Sequence, residues 1–190
     1  KHSLSLTRKG SWHFLGEIYL SLPLPADKPI DDHCGTCQRC IDACPTKAIV
    51  APYNVDARLC ISYLTIELPG SVPVELRPLI GNRIYGCDDC QLCCPWNRFA
   101  QLGDTAFAAR QGLENTTLAE LFAWTEQDFE SRLAGSPIRR IGHERWLRNI
   151  AVALGNTPSS PNATAALETR RHHPSALVRE HVSWALSNIC

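Results

Sequence analysis

Four thiols at spacings of two, two and three, closed by a proline, mark the stretch of this chain best suited to chemistry: Cys34-Gly-Thr-Cys37-Gln-Arg-Cys40-Ile-Asp-Ala-Cys44-Pro45. A second run follows, Cys87-Asp-Asp-Cys90-Gln-Leu-Cys93-Cys94-Pro95, with Cys60 between the two. Nine of the ten cysteines fall within these 62 residues. The first run matches, letter for letter, the bacterial spacing that ligates iron–sulfur clusters. Zinc usually takes two separated C-x2-C pairs, and a third cysteine at the next step plus Cys-Pro fits that poorly. The predicted chemistry is electron transfer through two [4Fe-4S] clusters.

A tight C-x2-C-x2-C loop wraps one face of a cube and supplies three thiolates, so the fourth comes from elsewhere. In two-cluster ferredoxins the cysteine before proline ligates the other cluster. Aligned at their prolines, Cys37, Cys40 and Cys44 correspond to Cys87, Cys90 and Cys94, and the counterpart of Cys34 is Ile84. Cys60 can take that place. The preferred sets are then Cys34, Cys37, Cys40 and Cys94 for one cluster, and Cys44, Cys60, Cys87 and Cys90 for the other, leaving Cys93 spare. The alternative reads Cys87, Cys90 and Cys93 as a regular run and strands Cys60. Trp96 is placed to shield a cluster from water. Cys190, terminal and isolated, reads as a surface thiol.

The elements that position these thiols are short. The alternation of Leu4 and Leu6 reads as β-like, Lys9-Gly10 as a turn, and Trp12 to Leu20 as a short helix or strand. Pro23, Pro25 and Pro29 mark a linker. Ile49-Val50 and Tyr53-Asn-Val55 predict a hairpin, limited to an edge by Pro52. Residues 61–68 are apolar and β-branched, and periodicity does not decide between helix and strand. Pro73 to Ile80 reads as a short helix stopped by Gly81.

From residue 103 the signals are helical. Thr117-x-x-Glu120 is a capping box, Thr125 with Asp128 starts a second helix, and Ser136-Pro137 opens a third. Leu147, Ile150, Ala151 and Leu154 keep helical spacing up to Gly155, and so do Val178, His181, Val182, Ala185, Leu186 and Ile189. Ala153-Leu-Gly-Asn156 and Ala185-Leu-Ser-Asn188 lie 32 residues apart, which reads as a HEAT-type repeat pair. The predicted fold class is α+β: a two-[4Fe-4S] ferredoxin-like domain over 31–102, a helical connection over 103–135, and an all-α HEAT-like segment over 136–190.

Formal net charge is zero over 190 residues, but residues 136–190 hold 7 Lys and Arg against 3 Asp and Glu. That basic segment permits a polyanion partner. There is no apolar run of membrane-spanning length and no signal-peptide pattern, so a cytoplasmic location is expected, where thiols stay reduced. The chain holds no Met and starts at Lys1, which reads as a fragment of a longer protein.

Several strings together resemble the epoxyqueuosine reductases over nearly the whole chain. They are Gly10-Ser-Trp12 through Leu15-Gly-Glu-Ile18, the Cys34 run, Pro45-Thr-Lys-Ala-Ile49, Val55-Asp-Ala-Arg58, Cys60-Ile-Ser-Tyr-Leu-Thr-Ile-Glu67, Gly86-Cys-Asp-Asp-Cys90 and Cys94-Pro-Trp-Asn97. The Cys34 run is shared with all ferredoxins; the Cys60 and Cys94 strings are far more specific. The resemblance implies the same crossing ligand pattern, with Cys93 outside it. It implies conversion of epoxyqueuosine to queuosine at the tRNA wobble position, with cobalamin and two [4Fe-4S] clusters, electrons entering through the clusters to reduce the corrin cobalt.

The family's proton-donating Asp and main cobalamin domain lie N-terminal to the matching stretch. The resemblance therefore implies no catalytic residue here, places residues 1–30 at the end of that domain and its linker, and leaves the fragment inactive alone. It implies cobalamin contacts at Leu15, Ile18, Ser62 and Cys87. It also implies tRNA contacts at Arg139, Arg140, Arg145, Arg148, Arg170, Arg171 and Arg179. The expected partners are tRNA carrying epoxyqueuosine and an electron-donor protein or reductase, with no membrane, for a monomer. Two other classes compete: a ferredoxin-like electron carrier with a helical docking domain, and a corrinoid reductive dehalogenase-like module.

Overall fold

The computed structural model describes residues 9–13, 15–29, 31, 33–101, 103–105, 108, 112–158 and 160–189. In chain order they form α1 (Arg39–Ala43), β1 (Ile49–Ala51), β2 (Asn54–Val55), α2 (Arg77–Ile80), α3 (Asp89–Leu92), α4 (Leu118–Ala123), α5 (Glu126–Arg132), α6 (Gly142–Gly155), α7 (Pro161–Glu168) and α8 (Ala176–Asn188). Short 3-10 turns and one π-turn, Tyr63–Glu67, lie between them. The chain is thus mostly helical, with one two-stranded sheet among the described residues. It divides into two compact units: Lys1–Val55 with Asp88–Gly103, and Asp56–Cys87 with Asp104–Cys190. The stretch 31–102 contributes to both.

In the first unit α1 packs against α3. The predicted hairpin is present, antiparallel, with Ile49 opposite Val55 and Ala51 opposite Asn54. Its turn uses Pro52 and Tyr53, the latter left-handed at φ +64°. The backbone near Gly10 runs close to the second cysteine run: a Cβ there would sit 2.9 Å from Asn97 Oδ1, and φ is +109°. The next residue bonds to the same atom, the Ser11 N–H donating over 2.7 Å. Contrary to the sequence expectation, the described residues from Trp12 to Leu20 form neither helix nor strand. Leu15, Ile18, Tyr19 and Leu20 are all exposed, so no burial favours one regular period over another. Leu4, Leu6 and Cys190 lie outside the described residues.

The second unit is built on capped helices. Thr117 and Glu120 form a reciprocal capping box on α4, and Thr125 and Asp128 form one on α5. Ser136 caps a 3-10 turn, Pro137–Ile141, accepting from the Ile138 N–H at 3.3 Å. Every residue of α6 from Trp146 to Gly155 is buried. α8 buries Val178, His181, Val182 and Ala185 and packs along α6. The two helices meet closely at Gly155, where an added methyl carbon would come within 2.7 Å of Trp184 Cζ3 and 2.8 Å of Ala185 Cα. Of residues 61–68, undecided by pattern, 61–67 are helical and Leu68 is extended, with Ile61, Leu64 and Thr65 buried.

Candidate iron–sulfur site

The first cysteine run turns tightly before it becomes helical. The Cys37 N–H donates to the Cys34 carbonyl over 3.1 Å, and Cys40 follows in the first turn of α1, buried. The second run carries Cys90 in α3 and ends in a 3-10 turn, Pro95–Phe99, whose proline sits at the first position. The Asn97 side chain holds that turn down, its amide donating to the Gln91 carbonyl at 2.6 Å. Within the first unit, Cys34, Cys37, Cys40 and Cys94 line one cavity of about 160 Å3, with His33, Arg39, Pro95 and Trp96. Trp96 is braced by rings on two sides, His33 at 6.0 Å and Phe99 at 6.1 Å.

None of the nine described cysteines forms a disulfide. Among the described residues, no three Cys, His, Asp or Glu side chains converge tightly enough to hold a single metal ion. A cube instead puts one thiolate on each of four irons, so its ligands stand further apart than those of one zinc. Four thiols around one small cavity, none of them in a disulfide, fit that wider demand.

The other cysteines sit as follows. Cys44 accepts from the Ala48 N–H at its sulfur over 3.2 Å. Cys93 is not among the lining residues of the cavity; its thiol donates to the Cys90 carbonyl at 3.4 Å. Burial pushes the Cys93 thiol up, and charge on Cys40, Cys94 and Cys37 adds to that. Cys44 and Cys90 belong to the first unit, Cys60 and Cys87 to the second. In the second unit the Ser62 hydroxyl accepts from the Cys87 N–H (3.0 Å) and donates to the Cys87 carbonyl (3.2 Å). Of the other residues tied to cobalamin by resemblance, Leu15 is 65% and Ile18 87% exposed.

The seven arginines divide sharply. Arg139, Arg140, Arg171 and Arg179 are exposed. The first three pair with Glu130, Glu67 and Glu168, and Arg179 donates to the carbonyls of His173 and Pro174. Arg171 and Arg179 line an open groove of about 590 Å3 with Thr164, Glu168, His172 and Ser183. Arg145 and Arg170 are half-buried and spend their guanidinium groups on backbone carbonyls. Arg148 is a correction to the expected phosphate-binding set: it is fully buried and donates to the carbonyls of Leu64, Leu68 and Gly70 and to Asn149 Oδ1. Its guanidinium is spent on these oxygens. Burial, with Arg145 nearby, brings Arg148 down to about 10, so it stays charged at neutral pH.

Residues 33–97 match the family described as a 4Fe-4S double cluster binding domain. Over 98% of its length the chain is 64% identical to the epoxyqueuosine reductase of Xanthomonas campestris, covering 53% of that protein. The chain resembles the epoxyqueuosine reductases throughout. The Pseudomonas aeruginosa enzyme is 59% identical over 98% of the chain and 52% of the relative. The chain therefore spans about half the length of the curated relatives it matches. Among solved structures, an epoxyqueuosine reductase from Bacillus subtilis aligns with TM-score 0.80 at 34% identity, over 88% of this chain and 45% of that one. A structure of epoxyqueuosine reductase with an epoxyqueuosine-modified tRNA stem loop aligns with TM-score 0.80 at 34% identity, over 88% and 44%. Among the described residues no helix is long and apolar enough to cross a membrane.

Proposed function

We propose that this chain supplies the electron-transfer and tRNA-binding part of a cobalamin-dependent reductase that converts epoxyqueuosine to queuosine in tRNA. The supporting observation is the cavity lined by Cys34, Cys37, Cys40 and Cys94, in a chain this similar to epoxyqueuosine reductases. Those four would hold one [4Fe-4S] cluster, and Cys44, Cys60, Cys87 and Cys90 the other. When bound, such clusters supply one-electron transfers at potentials set by charge, hydrogen bonds and solvent exposure.

The protein's own groups act on those three quantities. Pro95 and Trp96 form part of the cavity wall, where they would limit the water around a bound cluster. Arg39 sets a positive charge beside four thiolates. The Ala48 N–H is aimed at the Cys44 sulfur. Leu15 and Ile18 offer exposed apolar surface suited to the flank of a corrin. Ser62 suits that role less, since its hydroxyl is bonded to Cys87.

The exposed Arg139, Arg140, Arg171 and Arg179 would meet tRNA phosphates. Their present carboxylate and carbonyl partners are surface contacts, which exchange at little cost. Electrons would come from a donor protein or reductase in the cytoplasm, and the protein would act as a monomer.

Iron and sulfide analysis of protein purified without oxygen tests the cluster assignment. About eight of each are expected for two [4Fe-4S] clusters. Cys60→Ser should halve the content and Cys93→Ser should leave it whole. Full iron in Cys60→Ser, or a cluster lost from Cys93→Ser, would overturn the ligand sets.

A further inference from the structure

The turn that follows Cys60 is wound with one residue too many. Its N–H groups bond within the segment, Leu64 to the Cys60 carbonyl at 2.9 Å and Leu68 to the Tyr63 carbonyl at 2.9 Å, the second of these spanning five residues. A helix end leaves carbonyls without partners in the helix, and π-turns cluster at functional sites. Here α6 takes those carbonyls. Arg148 donates to Leu64, Leu68 and Gly70, Asn149 donates to Thr65 at 2.8 Å, and Arg145 donates to Ile66 at 3.0 Å. The wide turn is thus fixed by side chains and not by its own backbone alone.

The same few side chains also hold the chain leading into Cys87. Asn149 donates to the Ile84 carbonyl at 2.8 Å. The Thr65 hydroxyl accepts from the Gly86 N–H at 2.9 Å while donating to the Ile61 carbonyl at 2.7 Å. Ser62 then engages Cys87 on both sides, N–H and carbonyl. Three consecutive anchors end at a cysteine, and the last of them is two residues from another cysteine.

We propose that Ser62 is a positioning residue that sets Cys87 against Cys60, braced by Thr65 in its own turn and by the buried pair Arg148 and Asn149 on α6. A hydroxyl bonded to both backbone groups of one residue restrains that residue's φ and ψ, and so the direction in which its Cα–Cβ bond leaves the chain. The inference rests on the reading of Cys60 and Cys87 as ligands of one cluster. It goes beyond that reading by naming groups that touch no iron yet govern where two thiolates stand.

The test compares Ser62→Ala, Ser62→Thr and Cys60→Ser in the holoprotein, purified anaerobically. Iron content, the electron paramagnetic resonance of the reduced clusters and their midpoint potentials are measured beside thermal unfolding. Ser62→Ala should fold and should change the signal and potential of one cluster only, with loss of that cluster in air several-fold faster. Ser62→Thr, which keeps the hydroxyl, should recover the original signal. Two unaltered signals and unaltered potentials in Ser62→Ala would overturn the inference. So would a Ser62→Ala protein that fails to fold even in the Cys60→Ser background, because the hydroxyl would then serve the fold and not the thiolates. Full iron in Cys60→Ser is a different failure: it removes the ligand reading itself, whatever Ser62→Ala does.

Discussion

In the second unit Phe122, Phe129, Leu133, Trp146, Leu147, Ile150 and Leu167 are buried around one core, with Trp124 and Trp146 stacked at 5.7 Å. In the first unit the buried side chains, among the described residues, come down to Ser11, Cys40, Thr46, Ala48 and Ile49. The contrast is one of stabilising chemistry. Each large apolar side chain fully buried contributes about 1.5–3 kcal/mol, so the second unit holds an ordinary hydrophobic core. The first has almost none to set against its chain entropy. What it has instead is thiols, and for sites of this kind ligand binding energy is folding energy. A small unit organised around cysteines can present them to a cavity because no apolar packing competes for the centre.

The strongest way to break that comparison is to take the iron away. Anaerobic chelation should abolish hydrogen-exchange protection around Cys34–Val55 and Asp88–Ala100, while α4 to α8 stay protected. Equal loss in both units would mean that the helical core depends on the clusters too.

Next in size come Arg148 and His181, two of the buried polar residues of the apolar unit. Arg148→Met strands three carbonyls and an amide oxygen, which should cost about 3 kcal/mol or more in denaturant unfolding. A change under about 1 kcal/mol would mean water replaces the guanidinium.

His181 should add a pH dependence of similar size. Its Nε2 accepts from the Val72 N–H at 3.2 Å and its Nδ1 lies 2.8 Å from the Leu177 carbonyl. Burial, with Arg77 and Arg148 adding to it against the Leu177 bond and Glu180, brings His181 to about 4 from 6.5. In the folded protein it stays neutral until about pH 4, whereas the unfolded chain takes up its proton near 6.5. Stability from this group is whole above 6.5, falls as pH drops from 6.5 to 4, and is flat below. The difference amounts to about 3 kcal/mol. His181→Gln should flatten the curve over that window.

The smallest stability effects should come from the exposed arginines. Arg139→Ala, Arg140→Ala and Arg171→Ala remove surface ion pairs and should leave the denaturant midpoint nearly unchanged. Filter binding of tRNA at several salt concentrations should show weaker affinity, and a log–log salt slope reduced by about one for each phosphate no longer neutralised. Unchanged affinity and slope in the triple variant would remove this face from the tRNA reading.

The same contrast explains what could be read from the sequence. The capping boxes at Thr117 and Thr125, the hairpin around Pro52 and the apolar faces of α6 and α8 were legible because each is written in local residues at fixed spacing. The Cys34 run was legible for the same reason. Residues 61–68 were not, since a π-turn breaks the 3.6 period that distinguishes helix from strand. The stretch from Trp12 to Leu20 misled because Trp12, Leu15, Ile18, Tyr19 and Leu20 are exposed. Arg148 misled because it stands among other arginines. A signal was present: Trp146, Leu147 and the run from Ile150 to Gly155 leave α6 with hardly a polar face, so a charge inside it belongs to a buried helix. Ser62 and Asn149 carried no such mark, as their roles depend on backbone groups that only the folded chain brings near.

Gly155 has a mechanical consequence. Side chains between helices act as a compliant layer, able to shift rotamer when one helix is pushed. At Gly155 α6 contributes nothing to that layer, and Trp184 and the backbone of Ala185 stand directly against its main chain. A load that displaces α8 at this point meets the main chain of α6, seven residues along the same helix from the guanidinium that grips the turn after Cys60.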